Sequence, residues 1–176
     1  RPLVQGLQQK AREISAEIHR LSYRLHPSKL DHLGLAAAVE SLCEELSATC
    51  PIKIELHRTA FPASIPKDVS LCVFRIAQEA LRNCIKHSGA LNARVVLENT
   101  GVAVRLSVSD DGCGFDPKSE ALKKGLGFTS MRERLRLVGG ELRIYSQPLC
   151  GTRLEISVPL KAGAEKNPAT FFAAAG

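Results

Sequence analysis

Apolar residues at the start of the chain, from Val4 to Leu25, recur at alternating gaps of three and four positions. This seven-residue repeat is typical of a helix that packs lengthwise on other helices, as in a coiled coil or four-helix bundle. Pro27 ends the predicted helix, because the residue before a proline is disfavoured in the helical region. An ordinary amphipathic helix stays as the alternative, although its apolar face is usually wider.

The rest of the chain alternates between helical and strand-like patterns. Helices are predicted over residues 35–48, 67–87 and 129–138, and Gly139 and Gly140 are a typical stop signal for the last one. Strands are predicted near residues 52–56, 95–97, 102–108, 142–144 and 154–158, with Val102, Val104, Leu106 and Val108 on one face. These elements predict an antiparallel sheet with helices on its apolar face: the α+β class, as a two-layer α/β sandwich.

Composition adds constraints on partners and compartment. The net charge is +6, but basic residues are interleaved with acidic ones along the chain, so no direct nucleic-acid binding is expected. The six cysteines form no C-x-x-C pair, and we predict that they are reduced and structural, as suits a cytoplasmic protein. The chain begins within a helical pattern, without a signal peptide or an apolar run near membrane-span length, which is expected of a piece of a longer protein.

The first cluster of candidate chemistry lies on the helix predicted at residues 67–87. Glu79 and Asn83 are four positions apart and project from one face, with Lys86 and His87 one turn further on. A carboxylate, an amide oxygen and cations at one helix end suit Mg²⁺ and the phosphates that it bridges. A solvated helix face with an ordinary i,i+4 pair explains the same spacing, so this cluster alone leaves both interpretations open.

The second cluster follows the strand that ends near Val108. Asp110 is followed by Gly112 and Gly114, which allow the backbone to approach a flat ligand closely. An ionised aspartate accepts a hydrogen bond from the adenine 6-amino group and rejects guanine, a discrimination worth roughly 1.5–3 kcal/mol. A turn between two strands is the alternative, since Asp-Gly is a common turn pair.

The third cluster opens the last predicted helix. Gly125, Leu126 and Gly127 form a glycine-rich helix start, where free backbone amides favour phosphate. The preceding residues 116–124 carry Lys118, Lys123 and Lys124, as expected of a hinged basic lid over a triphosphate. A flexible surface loop is the alternative, and neither a Rossmann fingerprint nor a P-loop is present.

Taken in this order, the clusters resemble the nucleotide-binding boxes of the GHKL superfamily, which includes gyrase B, Hsp90 and histidine kinases. Residues 74–83, with Lys86 and His87, resemble the N box of sensor histidine kinases of the nitrate/nitrite-sensor type. Residues 110–115 resemble the first glycine box, residues 125–134 the second, and Gly151-Thr152 the element that closes the site. Residues 25–35 are similar to the junction between dimerisation and catalytic domains, so the resemblance covers about residues 13–160.

The resemblance implies the Bergerat ATP-binding fold, preceded by a long helix from a dimerisation bundle. It divides the chain into that helix and the junction (1–34), an ATP-binding catalytic domain (35–160) and a flexible tail (161–176).

The resemblance further implies ATP as substrate and Mg²⁺ as cofactor. Asn83 is expected to bind Mg²⁺ with support from Glu79 through water, and Asp110 to accept from adenine, directly or through a water shared with Thr152. Lys86 and His87 are expected to contact phosphate. The remaining expected nucleotide-binding residues are Gly112, Gly114, Lys123, Lys124, Gly125, Leu126 and Gly127.

The implied reaction is transfer of the ATP γ-phosphate to a histidine on a dimerisation helix, for relay to a response regulator with a helix-turn-helix output domain. The parent protein is expected to be a homodimer, cytoplasmic or anchored to a membrane. His19 is followed by Arg20 instead of an acidic residue and lies close to His26, so the acceptor helix is expected to be missing and autophosphorylation is not expected. A GHKL-type serine kinase or ATPase, and a non-catalytic adenine-nucleotide-binding module, are the alternatives.

Overall fold

The computed structural model describes residues 28–59, 65–116 and 126–160. Several predicted features lie outside these ranges: the bundle helix with His19, the tail after Lys161, and the lid residues Lys118, Lys123, Lys124 and Gly125. The division of the chain into three domains therefore stays a prediction.

Within the described residues the chain forms three α-helices, one π-helical turn and five strands. The elements are α1 (Ser28–Thr49), β1 (Lys53–Arg58), α2 (Lys67–Asn83), the π turn (Cys84–Ser88), β2 (Asn92–Asn99), β3 (Ala103–Asp110), α3 (Leu126–Leu137), β4 (Glu141–Ser146) and β5 (Thr152–Pro159). Helix α1 is broken at Gly34, where φ is 80° and ψ is 174°, a backbone conformation that glycine adopts without steric cost. The helix predicted over residues 35–48 is confirmed as the part of α1 after this break.

The five strands form one mixed sheet in the order β1-β2-β3-β5-β4. Strand β1 pairs with β2 in parallel, whereas the β2–β3, β3–β5 and β5–β4 pairs are antiparallel. The predicted all-antiparallel sheet is therefore wrong at its first edge. The physical reason is that α2 connects β1 to β2 and returns the chain to the same end of the sheet. Alternation of apolar residues gives the face of a strand but not its direction.

One face of the sheet is apolar and covered by helices. Its buried side chains are Ala93, Val95, Leu97, Val104, Leu106, Val108, Leu154, Ile156 and Val158. Helix α2 contributes buried Phe74, Ile76 and Leu81, and α3 contributes Met131 and Leu135. Burying a side chain of this size stabilises the fold by about 1.5–3 kcal/mol. The opposite face carries exposed arginines and glutamates, so the predicted two-layer α+β sandwich is confirmed.

Two expectations about side-chain placement are wrong. Val102 was expected on the buried face of β3, but it lies in the turn before that strand and is 66% exposed. A structural role was expected for all six cysteines. Cys43, Cys72 and Cys84 are indeed buried, whereas Cys113 and Cys150 are exposed. All six thiols are free, as predicted.

The topology brings together the ends of two helices and two strands. Asp110 ends β3 and is the register partner of Thr152, the first residue of β5. Helix α2 packs across the apolar face, and α3 packs against α2. The end of α2, the end of β3, and the starts of β5 and α3 therefore meet at one edge of the sandwich.

Candidate functional site

A cavity of about 430 Å³ opens at this edge, within the size range of small-molecule sites. The predicted site residues that line it are Glu79, Asn83, Lys86, His87, Asp110, Gly114, Gly127 and Thr152. The structure thus joins residues from all three sequence clusters around one space. Leu126 begins α3 beside this cavity, while Gly112 is not among the residues that line it.

Helix α2 supplies one carboxylate, Glu79, and one amide, Asn83, to the cavity. Glu79 is mostly buried, with 23% of its side chain exposed, and it forms an ion pair with Arg82 one turn along the helix. The start of α3 lies directly opposite. A Cβ added at Gly127 would lie 2.7 Å from Oε1 of Glu79 and 3.8 Å from Nδ2 of Asn83. Glycine at 127 therefore allows the two helices to approach at this point.

The predicted helix through residue 87 is correct only as far as Asn83, because the chain continues as a π turn. Hydrogen bonds in a π turn span five residues, a geometry often found at functional sites. Ser88 closes the turn by donating from its hydroxyl to the carbonyl of Cys84 at 2.6 Å. Lys86 and His87 lie on this turn, exposed to solvent at the cavity wall.

At the strand end, both carboxylate oxygens of Asp110 accept hydrogen bonds. Oδ1 accepts from the backbone N–H of Gly112 at 2.9 Å, and Oδ2 accepts from the thiol of Cys84 at 3.4 Å. Burial, and then the charge of Asp110, raise the pKa of Cys84 to about 12. The thiol is therefore protonated at neutral pH and acts as the donor of this pair.

The adjacent Asp111 has a different role. It accepts from the backbone N–H groups of Leu91 and Asn92, both at 3.0 Å, and from the side-chain amide of Asn92 at 2.7 Å. These bonds, led by the one from the Asn92 side chain, hold the pKa of Asp111 below its ordinary value. Asp111 thereby fixes the start of β2 and does not line the cavity.

Gly112 brings the loop after β3 against the π turn. A Cβ at this position would overlap the carbonyl oxygen of Ser88 and lie 2.5 Å from its Cβ. The close approach lets the backbone N–H of Cys113 donate to that same carbonyl at 2.7 Å. Gly114 has a left-handed φ of 57° and packs against the β4–β5 turn. Gly112 thus lets the loop after β3 pack against the π turn, and Gly114 lets it pack against the β4–β5 turn.

Sequence reasoning missed Ser146, a buried serine that holds the element Gly151-Thr152. Its hydroxyl donates to the carbonyl of Gly151 at 3.0 Å and accepts from the N–H of Phe115 at 2.9 Å. It also lies 3.0 Å from the hydroxyl of Thr152. A polar residue on the covered side of an otherwise apolar strand end was the available signal.

Two aromatic rings complete the cavity wall. Phe115 and Phe128 have ring centroids 6.0 Å apart, with an interplanar angle of 49°. Such tilted pairs stabilise by about 0.5–1.5 kcal/mol beyond area burial. They give the cavity an apolar side next to its charged groups.

The donor set fits a magnesium nucleotide. Over residues 28–59, 65–116 and 126–160, no group of three or more His, Cys, Asp or Glu side chains could hold a metal ion by itself. Mg²⁺ carried by substrate phosphates needs only one or two protein oxygens. Asn83 and Glu79 can supply such oxygens, and Asp110 offers a further carboxylate to the same cavity.

Comparison with known proteins gives one family and several relatives. The sequence model of the family described as "Histidine kinase-, DNA gyrase B-, and HSP90-like ATPase" matches residues 68–162. Sensor histidine kinase MctS from Rhizobium johnstonii is 35% identical over 153 residues, which cover 86% of this chain and 33% of MctS. The histidine-protein kinase/phosphatase DegS from Brevibacillus brevis is 29% identical over 157 residues, covering 89% of this chain and 40% of DegS. The chain therefore spans well under half the length of these relatives.

A solved structure supports the same architecture. The histidine kinase domain of the Erythrobacter litoralis blue-light activated histidine kinase matches with a TM-score of 0.60 and 22% identity, over 72% of this chain and 61% of that chain. At this identity the likeness concerns the fold alone. In the part of the chain that the structure describes, no helix is both long enough and apolar enough to cross a membrane.

Proposed function

The chain belongs to the family of histidine kinase-, DNA gyrase B- and HSP90-like ATPases, and from this premise we propose that it is the ATP-binding catalytic domain of a two-component sensor histidine kinase. Two relatives named histidine kinases support the kinase branch of the family. Mg²⁺ as the cofactor and a cytoplasmic location are parts of the proposal, as is the nitrate/nitrite-sensor type.

One observation carries the proposal. The carboxylate of Asp110 and the amide of Asn83 line the same cavity, although they come from a strand end and from a helix. A purine at the first group and a metal-bound phosphate chain at the second would use both groups. The side chains of Lys86 and His87 lie on the same cavity wall as Asn83, where the ammonium group of Lys86 favours phosphate.

The residues of the chain divide the work of binding. Asp110 accepts a hydrogen bond from the 6-amino group of adenine, while Thr152, held by Ser146 at 3.0 Å, supplies a neighbouring hydroxyl. Phe115 and Phe128 cover the apolar part of the nucleotide. When bound, Mg²⁺ neutralises phosphate charge and orients the γ-phosphoryl group.

Phosphoryl transfer of this kind depends mainly on positioning and charge neutralisation. A neutral imidazole is itself a nucleophile, so a strong general base at Glu79 is not required. The ion pair between Glu79 and Arg82 fixes the position of the carboxylate at the cavity wall, which supports a binding role for Glu79. The proposed acceptor is a histidine on a separate dimerisation helix of the parent protein.

The proposed partners follow from this reaction. The parent protein dimerises through its helical bundle, which presents the acceptor histidine to the catalytic domain. The phosphoryl group is then relayed to a response regulator with a helix-turn-helix output domain.

The experiment supplies the acceptor separately. The chain is incubated with Mg·[γ-³²P]ATP and the purified dimerisation domain of its parent protein, with Asn83→Ala as the matched inactive variant. We expect acid-labile, base-stable phosphate on the dimerisation domain, and at least tenfold less with Asn83→Ala. Acid-stable phosphoserine would indicate the serine-kinase alternative. Steady hydrolysis that Glu79→Ala abolishes would indicate an ATPase, and binding without transfer to any acceptor would indicate a non-catalytic module.

A further inference from the structure

We propose that Cys84 is a positioning residue for nucleotide selection, whose thiol holds the carboxylate of Asp110 in the orientation that accepts the adenine 6-amino group. This inference rests on the proposed function, because it assigns a residue to the base-binding end of the same site.

The contact itself is local and buried. Cys84 is only 6% exposed, lines the cavity, and has its sulfur 3.4 Å from Oδ2 of Asp110. The other oxygen, Oδ1, is held by the N–H of Gly112 at 2.9 Å. With a donor on each oxygen, rotation of the carboxylate about its terminal bond is restricted.

The direction of this hydrogen bond follows from the chemistry of the two groups. The thiol of Cys84 is the donor, and Oδ2 of Asp110 is the acceptor.

Cys84 connects the helix segment of Asn83 with the carboxylate of Asp110. It directly follows Asn83, the proposed metal-side residue, and begins the π turn. Ser88, at the end of that turn, bonds back to the carbonyl of Cys84 at 2.6 Å and accepts from Cys113 in the loop after β3 at 2.7 Å. The thiol of Cys113 also donates to the carbonyl of His87 at 3.4 Å. The π turn and the end of β3 with its loop are thus joined by three hydrogen bonds, and Cys84 makes the one that reaches the carboxylate.

The test uses a pair of nucleotides that differ only in the group that Asp110 is proposed to bind. Mg·ATP carries the 6-amino group, and the magnesium complex of purine riboside triphosphate lacks it. A thiol is a weak donor, so Cys84→Ala is expected to weaken Mg·ATP binding about three- to tenfold in calorimetry, at the low end of charged hydrogen bonds. Binding of purine riboside triphosphate should change less than twofold.

Two further variants separate positioning from packing. Cys72→Ala removes an equally buried thiol from α2 that does not line the cavity, and it should leave the ratio of the two affinities unchanged. Cys84→Ser keeps a donor on a shorter side chain and should give a ratio between those of the wild type and Cys84→Ala. If thermal melts show that Cys84→Ala is poorly folded, the ratio of the two nucleotide affinities in Cys84→Ser tests the positioning role instead.

The outcomes are distinct from failure of the proposed function. The wild type binding neither nucleotide, or both equally, would reject the proposed function whatever the Cys84 variants do. If the wild type prefers Mg·ATP and Cys84→Ala or Cys84→Ser keeps the full preference, the positioning role is rejected. Equal weakening of both nucleotides would show that Cys84 only supports packing.

Discussion

Asp110 and Asp111 are consecutive carboxylates at the end of β3, but they have different partners and different roles. Asp110 lines the cavity and shares its oxygens between Gly112 and Cys84. Asp111 is bound by Leu91 and Asn92 and fixes the start of β2. The same residue type thus forms part of a ligand site in one case and a structural anchor in the other. The point at which β3 ends relative to its two neighbouring strands decides which aspartate faces the cavity and which one anchors β2.

The two aspartates also differ in their exposure to solvent. Asp110 is half-buried against helix α2, where a hydrogen bond to a charged group strengthens as water is excluded. Asp111 is exposed, and its bonds to backbone N–H groups compete with solvent. Substitution of Asp110 should therefore change ligand binding more than stability, and substitution of Asp111 should do the reverse.

The largest expected effect comes from the glycine that follows both carboxylates. Gly112→Ala places a Cβ onto the backbone of Ser88, which neither segment can avoid without moving. We expect a loss of about 2–3 kcal/mol in the free energy of unfolding, measured by urea denaturation. Gly101→Ala is the control, because that glycine has a left-handed φ of 81° but open space around it, and should cost about 1 kcal/mol. Equal losses for the two variants would contradict the steric explanation.

The next effect sharpens the role of Asp110. Asp110→Asn keeps the shape of the side chain but replaces one acceptor oxygen by an amide donor. Mg·ATP affinity should fall about ten- to a hundredfold, as for the loss of a hydrogen bond to a charged group, while Mg·GTP affinity stays equal or rises. Competition with a fluorescent nucleotide measures both, and an unchanged ATP preference would remove Asp110 from base selection.

A smaller effect is expected from Asp111→Asn, which should lower the melting temperature and leave Mg·ATP affinity within twofold. Because the pKa of Asp111 is lowered on folding from its ordinary 3.8, its ionised form stabilises the protein at pH above that value. This stabilisation is lost as the pH falls through the lower folded-state pKa. The difference in melting temperature between wild type and variant should therefore be largest near neutral pH and shrink below about pH 4. A melting-temperature difference that grows as the pH falls would contradict a stabilising role for the ionised carboxylate of Asp111.

The smallest effect concerns the outer sheet face. Arg153 pairs with Glu155 at 3.3 Å and lies 5.0 Å from the ring centroid of Tyr145, but it is more than half exposed. Exposed pairs of this kind are worth little, so Arg153→Ala should change the free energy of unfolding by less than about 1 kcal/mol. The substitution should not alter nucleotide affinity. A tenfold loss of nucleotide affinity would show that the binding site includes residues of the outer sheet face.

Hydrophobic periodicity was sufficient to predict most elements and the covered face of the sheet. Leu106 and Ile156 alternate with polar residues as a half-buried strand requires, and both are buried. The parallel pairing of β1 and β2 could not be predicted this way, since alternation is the same for either direction. Val102 continues the alternation of β3 into a turn, where no partner strand covers it.

The sequence pattern was sufficient to select several residues that line the cavity, but it could not predict the contacts between them. Glu79 and Asn83 share a helix face, and Asp110 follows a strand, so each could be singled out along the sequence. The hydrogen bond from Cys84 to Asp110 spans 26 positions, so it depends on how helix α2 packs on strand β3. The overlap of Gly112 with Ser88 is likewise a tertiary contact, and no local pattern indicates it.

The central claim is that one cavity binds the purine at Asp110 and the metal-bound phosphates at Asn83. Calorimetric titration of the wild type, Asp110→Asn and Asn83→Ala with ATP, each with and without Mg²⁺, tests it most directly. We expect Mg²⁺ to tighten binding to the wild type, Asp110→Asn to weaken binding under both conditions, and Asn83→Ala to remove only the increment due to Mg²⁺. An Asn83→Ala variant that keeps the full Mg²⁺ increment, or an Asp110→Asn variant with wild-type affinity, would contradict the account.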